Sequence, residues 1–122
     1  MRVLLVDDNF AVRKMMIGLL NGIVDEFREC ADGAHALAAY SNVRPDWVLI
    51  DILMAGVDGL SATRAIKARF PEARIVVVTN YDHEDLRTAA REAGAWGYLL
   101  KDDVAGLRRV LLSHDSPSHE AV

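Results

Sequence analysis

Five polar side chains stand directly after short apolar runs, and their types suit phosphate chemistry. Asp7 and Asp8 follow the run at 3–6, Asp51 the run at 47–50, Thr79 the run at 75–78, and Lys101 the run at 98–100. Three carboxylates brought together raise one another's pKa and oppose folding unless something neutralises them. A hard divalent cation does so, and Mg²⁺ in particular takes oxygen ligands while keeping several of its waters. Neither G-x-x-x-x-G-K-[ST] nor G-x-G-x-x-G occurs in the chain, so no Gly-rich nest for a nucleotide is visible. A phosphoryl group is then better carried by the protein itself, on a carboxylate acting as nucleophile, and Asp51 is the central candidate.

For these groups to meet, the runs that precede them must be neighbouring strands. Each run is too short for a helix and lacks polar alternation, the pattern of strands buried on both faces of a parallel sheet. A further strand at 26–30 is more polar and is placed at an edge. Between the strands, Val12, Met15, Met16, Leu19 and Leu20 follow a helical period, and Leu86, Ala89, Ala90 and Ala93 repeat it. Asp58 and Asp82 are placed to cap the helices after them, Gly94 suits a helix C-terminus, and Pro45 and Pro71 fall in loops before strands. The sum is an α/β chain of five strand-then-helix repeats, doubly wound, with right-handed crossovers placing helices on both faces. Ligands of such sheets bind at the carboxyl ends of the strands, which is where the five polar groups fall.

A length of 122 residues fits one domain. With 52% hydrophobic and 26% charged residues the composition is that of a soluble globular protein. The net charge of -4 carries no basic stripe, which argues against direct nucleic-acid contact. The single cysteine, Cys30, forms no internal disulfide and is read as an inert small hydrophobe. That usage, with no signal or membrane-spanning segment visible, fits a cytoplasmic protein with no membrane partner. The polar stretch after Leu112, SHDSPSHEAV, reads as a frayed end or the start of a linker.

Over roughly all of residues 1–113 the chain resembles the receiver domains of two-component response regulators. The resemblance rests on the acid pair in VLLVDDN, the segment DILMAGVDG, Thr79 in VVVTN, and Lys101 in GAWGYLLKD. The stretch AGAWGYLLKD at 93–102 looks most like the NarL/FixJ branch, whose members usually carry a helix-turn-helix output domain. The resemblance implies a flavodoxin-like fold with five helices and strand order 2-1-3-4-5, occupying 1–113, with 114–122 a tail or linker to such an output domain. It implies that Asp51 accepts a phosphoryl group from a sensor histidine kinase. Asp7, Asp8, Asp51 and the backbone carbonyl of Leu53 would hold Mg²⁺, with Mn²⁺ as a substitute and Asp8 the more direct ligand. Lys101 and Thr79 would stabilise the phosphoryl oxygens. Thr79 and Tyr98 would form the switch that changes an output surface, and homodimerisation on phosphorylation would follow. DNA would be contacted only through an output domain outside this chain. The domain would catalyse only its own phosphorylation and dephosphorylation, as a signalling switch rather than an enzyme.

Plainer readings stand beside these. Asp8 or Asn9 suits a cap on the first helix, Thr79 a turn, Lys101 a solvated surface, and Tyr98 a packed aromatic. His35, His83, His114 and His119 have no ligand spacing and read as surface residues. Trp96 either packs on a neighbouring helix or forms an exposed interface anchor. Ala55 stands where the family usually has proline, which loosens the acceptor loop and bears on phosphorylation kinetics. Leu53 and Tyr81 flank the expected water route, and their apolar bulk predicts slow autodephosphorylation. Two other functions remain open: a receiver fold kept only for protein interaction, and an aspartyl-phosphate hydrolase. The intact acid pair, Thr79 and Lys101 weigh against the first; the missing D-x-D pattern and cap domain weigh against the second.

Overall fold

The apolar runs at 3–6, 47–50 and 75–78 become strands that bury both faces, whereas the run at 98–100, expected to do the same, forms an edge strand that is only half-buried. The computed structural model describes residues 1–113, in the order β1 (Arg2–Val6), α1 (Phe10–Leu19), β2 (Glu26–Cys30), α2 (Ala36–Val43), β3 (Trp47–Ile50), α3 (Gly59–Arg69), β4 (Ile75–Thr79), α4 (Glu84–Glu92), β5 (Gly97–Leu100) and α5 (Val104–Leu112). All strand pairs are parallel, in the order β2-β1-β3-β4-β5. Every residue of β3 and β4 is buried, whereas the edge strand β2 buries only Cys30 fully.

Alternation along the strands divides the core in two. Leu4, Val6, Val48, Ile50, Ile75 and Val77 face α2, α3 and α4, where they meet Tyr40, Ala62, Ile66 and Ala90. Val3, Leu5, Trp47, Leu49, Val76 and Val78 face α1 and α5, where they meet Met16, Leu20, Leu107 and Leu111. Twelve of the largest core side chains, led by Trp47, are below 2% exposure. Each such side chain contributes about 1.5–3 kcal/mol through burial. This doubly covered sheet is the rigid platform on which the strand ends are presented.

Two local expectations are corrected. Asp82 does not cap α4: the N-cap is His83, without a side-chain bond, and the Asp82 carboxylate instead takes a hydrogen bond from Arg87 Nε at 3.1 Å. Glu84 and Asp85 supply negative charge to that helix start. Met15 is not in the apolar stripe of α1; it is 42% exposed, while Met16 is buried and Val12 and Ile17 pack beside it. Asp58 does cap α3, accepting from Ser61 N at 2.8 Å, and Asn9 caps α1, accepting from Val12 N at 3.0 Å. Gly94 follows α4 with φ +100, a left-handed value that favours glycine. The stretch 114–122, including His114 and His119, lies outside the described residues. Among the described residues no helix is long and apolar enough to cross a membrane.

Candidate functional site

The parallel register brings the ends of β1, β3, β4 and β5 to one rim. Asp7 and Asp51 are buried there, at 1% and 7% exposure, while Asp8 faces solvent. One carboxylate oxygen from each of Asp7, Asp8 and Asp51 lies within 4.8 Å of the others. Lys101, just past β5, reaches across to them. Its Nζ is 3.0 Å from Asp7 Oδ2 and donates a hydrogen bond to Asp51 Oδ2 at 3.1 Å. Thr79 is the last residue of β4 rather than a residue beyond it, and its side chain is fully buried beside Asp51. The structure thus unites all five polar groups that the sequence placed at strand ends.

Charge and solvation do not balance in this rim. Burial pushes the Asp51 carboxyl above its ordinary range, with Lys101 pulling it back and Asp7 adding to the rise. Burial also disfavours the Lys101 ammonium, but the adjoining carboxylates of Asp7 and Asp51 outweigh it and hold its pKa above normal. Asp7 Oδ2 and Asp51 Oδ1 are buried with no hydrogen bond, the former meeting Lys101 as an ion pair outside hydrogen-bond alignment. Such orphaned oxygens are expensive unless a donor or cation approaches them. Oxygen donors, net negative charge and one solvent-facing member are the donor set that suits a hard divalent cation.

The acceptor loop between β3 and α3 is held by close backbone approach. Gly59 N donates to Ile52 O at 2.8 Å, and a Cβ on Gly59 would sit 2.0 Å from the Asp51 carbonyl oxygen. Gly33, in the β2–α2 connection, went unnoticed, yet a Cβ there would lie 2.3 Å from Val57 O. A contact between loops so distant in sequence leaves no local pattern. Leu53 belongs to this loop, and its side chain and that of Tyr81 are each 50% exposed. Ala55 is exposed, and Gly56 beside it takes φ +82.

Farther along the rim, half-buried Tyr98 donates its hydroxyl to the carbonyl of Tyr81. The Arg87 guanidinium lies 4.6 Å from the Tyr98 ring centre, and Arg87 is paired with Asp82. Trp96 is half-buried and meets Trp47 edge-on, with centroids 5.3 Å apart at 85°. It also borders a shallow groove with Arg87, Ala90 and Arg91. Cys30 is buried, and burial raises its thiol pKa. His35 and His83 are exposed, His35 beside the Asp32 carboxylate.

Residues 3–111 match the family described as "Response regulator receiver domain". The chain belongs to the response regulator receiver family. Among its relatives, the transcriptional regulatory protein LiaR of Bacillus subtilis (strain 168) is 34% identical over 85% of this chain and 50% of its own length. Response regulator MprA of Mycobacterium sp. (strain KMS) is 36% identical over 95% of this chain and 52% of its own. The chain therefore spans about half the length of these relatives. The receiver domain of the putative response regulator NarL from Mycobacterium tuberculosis superposes with TM-score 0.84 at 30% identity, covering 92% of this chain and 93% of that one. A chain of the CheX–CheY–BeF3–Mg²⁺ complex from Borrelia burgdorferi superposes with TM-score 0.85 at 26% identity, covering 92% and 87%. The receiver identity, the strand order and the NarL-like character read from the sequence all agree with these relatives.

Proposed function

We propose that this receiver takes a phosphoryl group onto Asp51 from the phosphohistidine of a sensor histidine kinase. The observation that carries the reading is the meeting of Asp7, Asp8, Asp51 and Lys101 around buried carboxylate oxygens that lack hydrogen bonds. A carboxylate oxygen of Asp51 forms the new bond to phosphorus as the bond to the histidine nitrogen breaks and the imidazole leaves. Asp7, Asp8, Asp51 and the Leu53 carbonyl would hold Mg²⁺, or Mn²⁺ in its place. The ion supplies neutralisation of the charge gathered on the transferring group. Lys101 meets a phosphoryl oxygen with its ammonium, and the Thr79 hydroxyl donates to another, the electrostatic positioning on which phosphoryl transfer depends.

The Tyr81 N–H lies 3.4 Å from Thr79 Oγ1, and the Tyr81 carbonyl receives the Tyr98 hydroxyl. Drawing Thr79 toward a phosphoryl group therefore disturbs the loop that tethers Tyr98, and the α4–β5–α5 surface changes with it. Trp96 borders that surface and is assigned to the contact that changes. The partners are the kinase and, after phosphorylation, a second copy of the chain. The setting is the cytoplasm. Likeness to LiaR supports transcriptional control through a DNA-binding output domain, with 1–113 as receiver and the residues after it as linker, so that this segment itself meets no nucleic acid. Leu53 and Tyr81, both apolar and half exposed beside the acceptor, favour a long-lived phosphoaspartate.

Incubation with Mg²⁺ and acetyl phosphate, followed by mass spectrometry, tests the reading. The expected result is a base-labile adduct on Asp51 that Asp51→Asn abolishes. Absence of an adduct on folded protein would favour a receiver fold kept only for protein interaction, and turnover of many phosphate esters would favour a hydrolase. An adduct lifetime of seconds would contradict the assignment to Leu53 and Tyr81.

A further inference from the structure

We infer that Arg13 is a positioning residue for the cation site, fixing the peptide that joins Asp7 to Asp8. The inference rests on the reading of the acidic rim as a divalent-cation site. Arg13 lies in the first turns of α1, and its side chain is only 12% exposed. Its Nη1 donates to the backbone carbonyl of Asp7 at 2.5 Å, and its Nε donates to Glu29 Oε1 on β2 at 2.8 Å. Glu29 is held in turn by Lys14, whose Nζ is 2.9 Å from Oε2. The Phe10 ring lies 5.6 Å from the Arg13 guanidinium carbon and covers it. One planar guanidinium thus ties the end of β1 to the end of β2, a span that a lysine ammonium does not reproduce with the same geometry.

The carbonyl of Asp7 and the N–H of Asp8 belong to one rigid peptide plane. Asp7 is already fixed on its other sides, its N–H by Cys30 O at 3.0 Å and its Oδ1 by Asn9 N at 2.8 Å. Asp8 is the exposed member of the triad, and orienting its peptide aims its carboxylate. Arg13 does this from outside the ligand set. Groups that hold metal ligands in this way commonly change metal affinity when removed.

Two effects of Arg13 have opposite signs, which makes the inference testable. Its positive charge repels a cation, so removing charge alone tightens binding; its grip on Asp7 favours binding, so removing the grip loosens it. Mn²⁺ affinity, read from the electron paramagnetic resonance of free Mn²⁺, is compared among wild type, Arg13→Met and Arg13→Lys. Each protein is first shown to be folded by circular dichroism without metal. Arg13→Met is expected to bind about tenfold more weakly. Arg13→Lys keeps the repelling charge and loses the grip that holds Asp7 and Glu29 together, so it is expected to bind more weakly still. Unchanged or tighter binding by folded Arg13→Met overturns the inference. Should that variant not fold, wild-type affinity in Arg13→Lys overturns it. If wild type binds no Mn²⁺, or binds it equally after Asp51→Asn, the cation-site reading itself fails, a result separate from any shown by Arg13.

Discussion

The two ends of the sheet carry comparable charge and treat it in opposite ways. At the amino ends of the strands, Glu26 takes hydrogen bonds from Arg2 at 3.1 Å and Arg28 at 2.8 Å, with both arginine side chains more than half exposed. Asp46 accepts from the Arg2 backbone N–H at 2.7 Å. Water shares the cost of those charges. At the carboxyl ends, two carboxylates and an ammonium are buried together, and two oxygens are left without hydrogen bonds. The first arrangement contributes little and costs little. The second opposes folding locally and is retained on the face where parallel α/β sheets bind ligands.

The largest break in this comparison is expected from Lys101→Met. It strands the Asp7 and Asp51 charges in the interior, a change of about 3 kcal/mol or more on the scale of broken buried pairs. Lys101 has a folded pKa raised above 10.5, so its contribution is fully present at neutral pH and is lost only as pH rises through that higher value. Urea unfolding at pH 7 measures the loss, and Mg²⁺ should recover part of it by replacing the missing positive charge.

Gly59→Ala comes next. Its Cβ would press on the Asp51 carbonyl at 2.0 Å, and overpacking against backbone costs about 1–3 kcal/mol. Thermal melting reads the destabilisation, and the yield of Asp51 adduct should fall with it.

Asp51→Asn changes stability in the other direction. The Asp51 pKa is raised above 3.8 in the fold, so the folded state holds the proton longer, and stability falls as pH rises from 3.8 through the folded value. Removing the charge should therefore stabilise metal-free protein at pH 7, by about 1 kcal/mol, the scale of one poorly satisfied buried group. The advantage should shrink as pH falls toward 3.8. Denaturation curves at several pH values measure both.

Glu26→Gln, at the opposite end, should change stability by less than about 0.5 kcal/mol, and that change should vanish in high salt. A larger effect there would erase the contrast between the two ends.

How much of this was legible beforehand follows from what is local. Runs such as WVLI and IVVVT announce strands buried on both faces, and polar residues placed just after them announce the rim, because parallel topology turns strand ends into neighbours. The polar edge strand β2 was legible for the same reason. What escaped depends on tertiary approach. Met15 fits the helical period as well as Ile17 does, and only the packing of α1 on the sheet chooses between them. Asp82 has the chemistry of a cap, but Arg87 one turn into α4 claims its carboxylate. The packing of Trp96 on Trp47, the approach of Gly33 to Val57, and the grip of Arg13 on the Asp7 carbonyl join residues that no short spacing connects.

The central claim is that the buried acids at the carboxyl ends are strained until a cation and a phosphoryl group arrive. Its most direct measurement is thermal unfolding of wild type and Asp51→Asn, each with Mg²⁺ alone and with Mg²⁺ plus beryllofluoride as a phosphoryl mimic. Ligands that bind only the folded state raise its stability in proportion to RT ln(1 + [L]/Kd). The account predicts that wild type, less stable than Asp51→Asn without metal, gains on Mg²⁺ addition, gains again with beryllofluoride, and overtakes the variant. Equal responses in the two proteins, or no response in wild type, would contradict it.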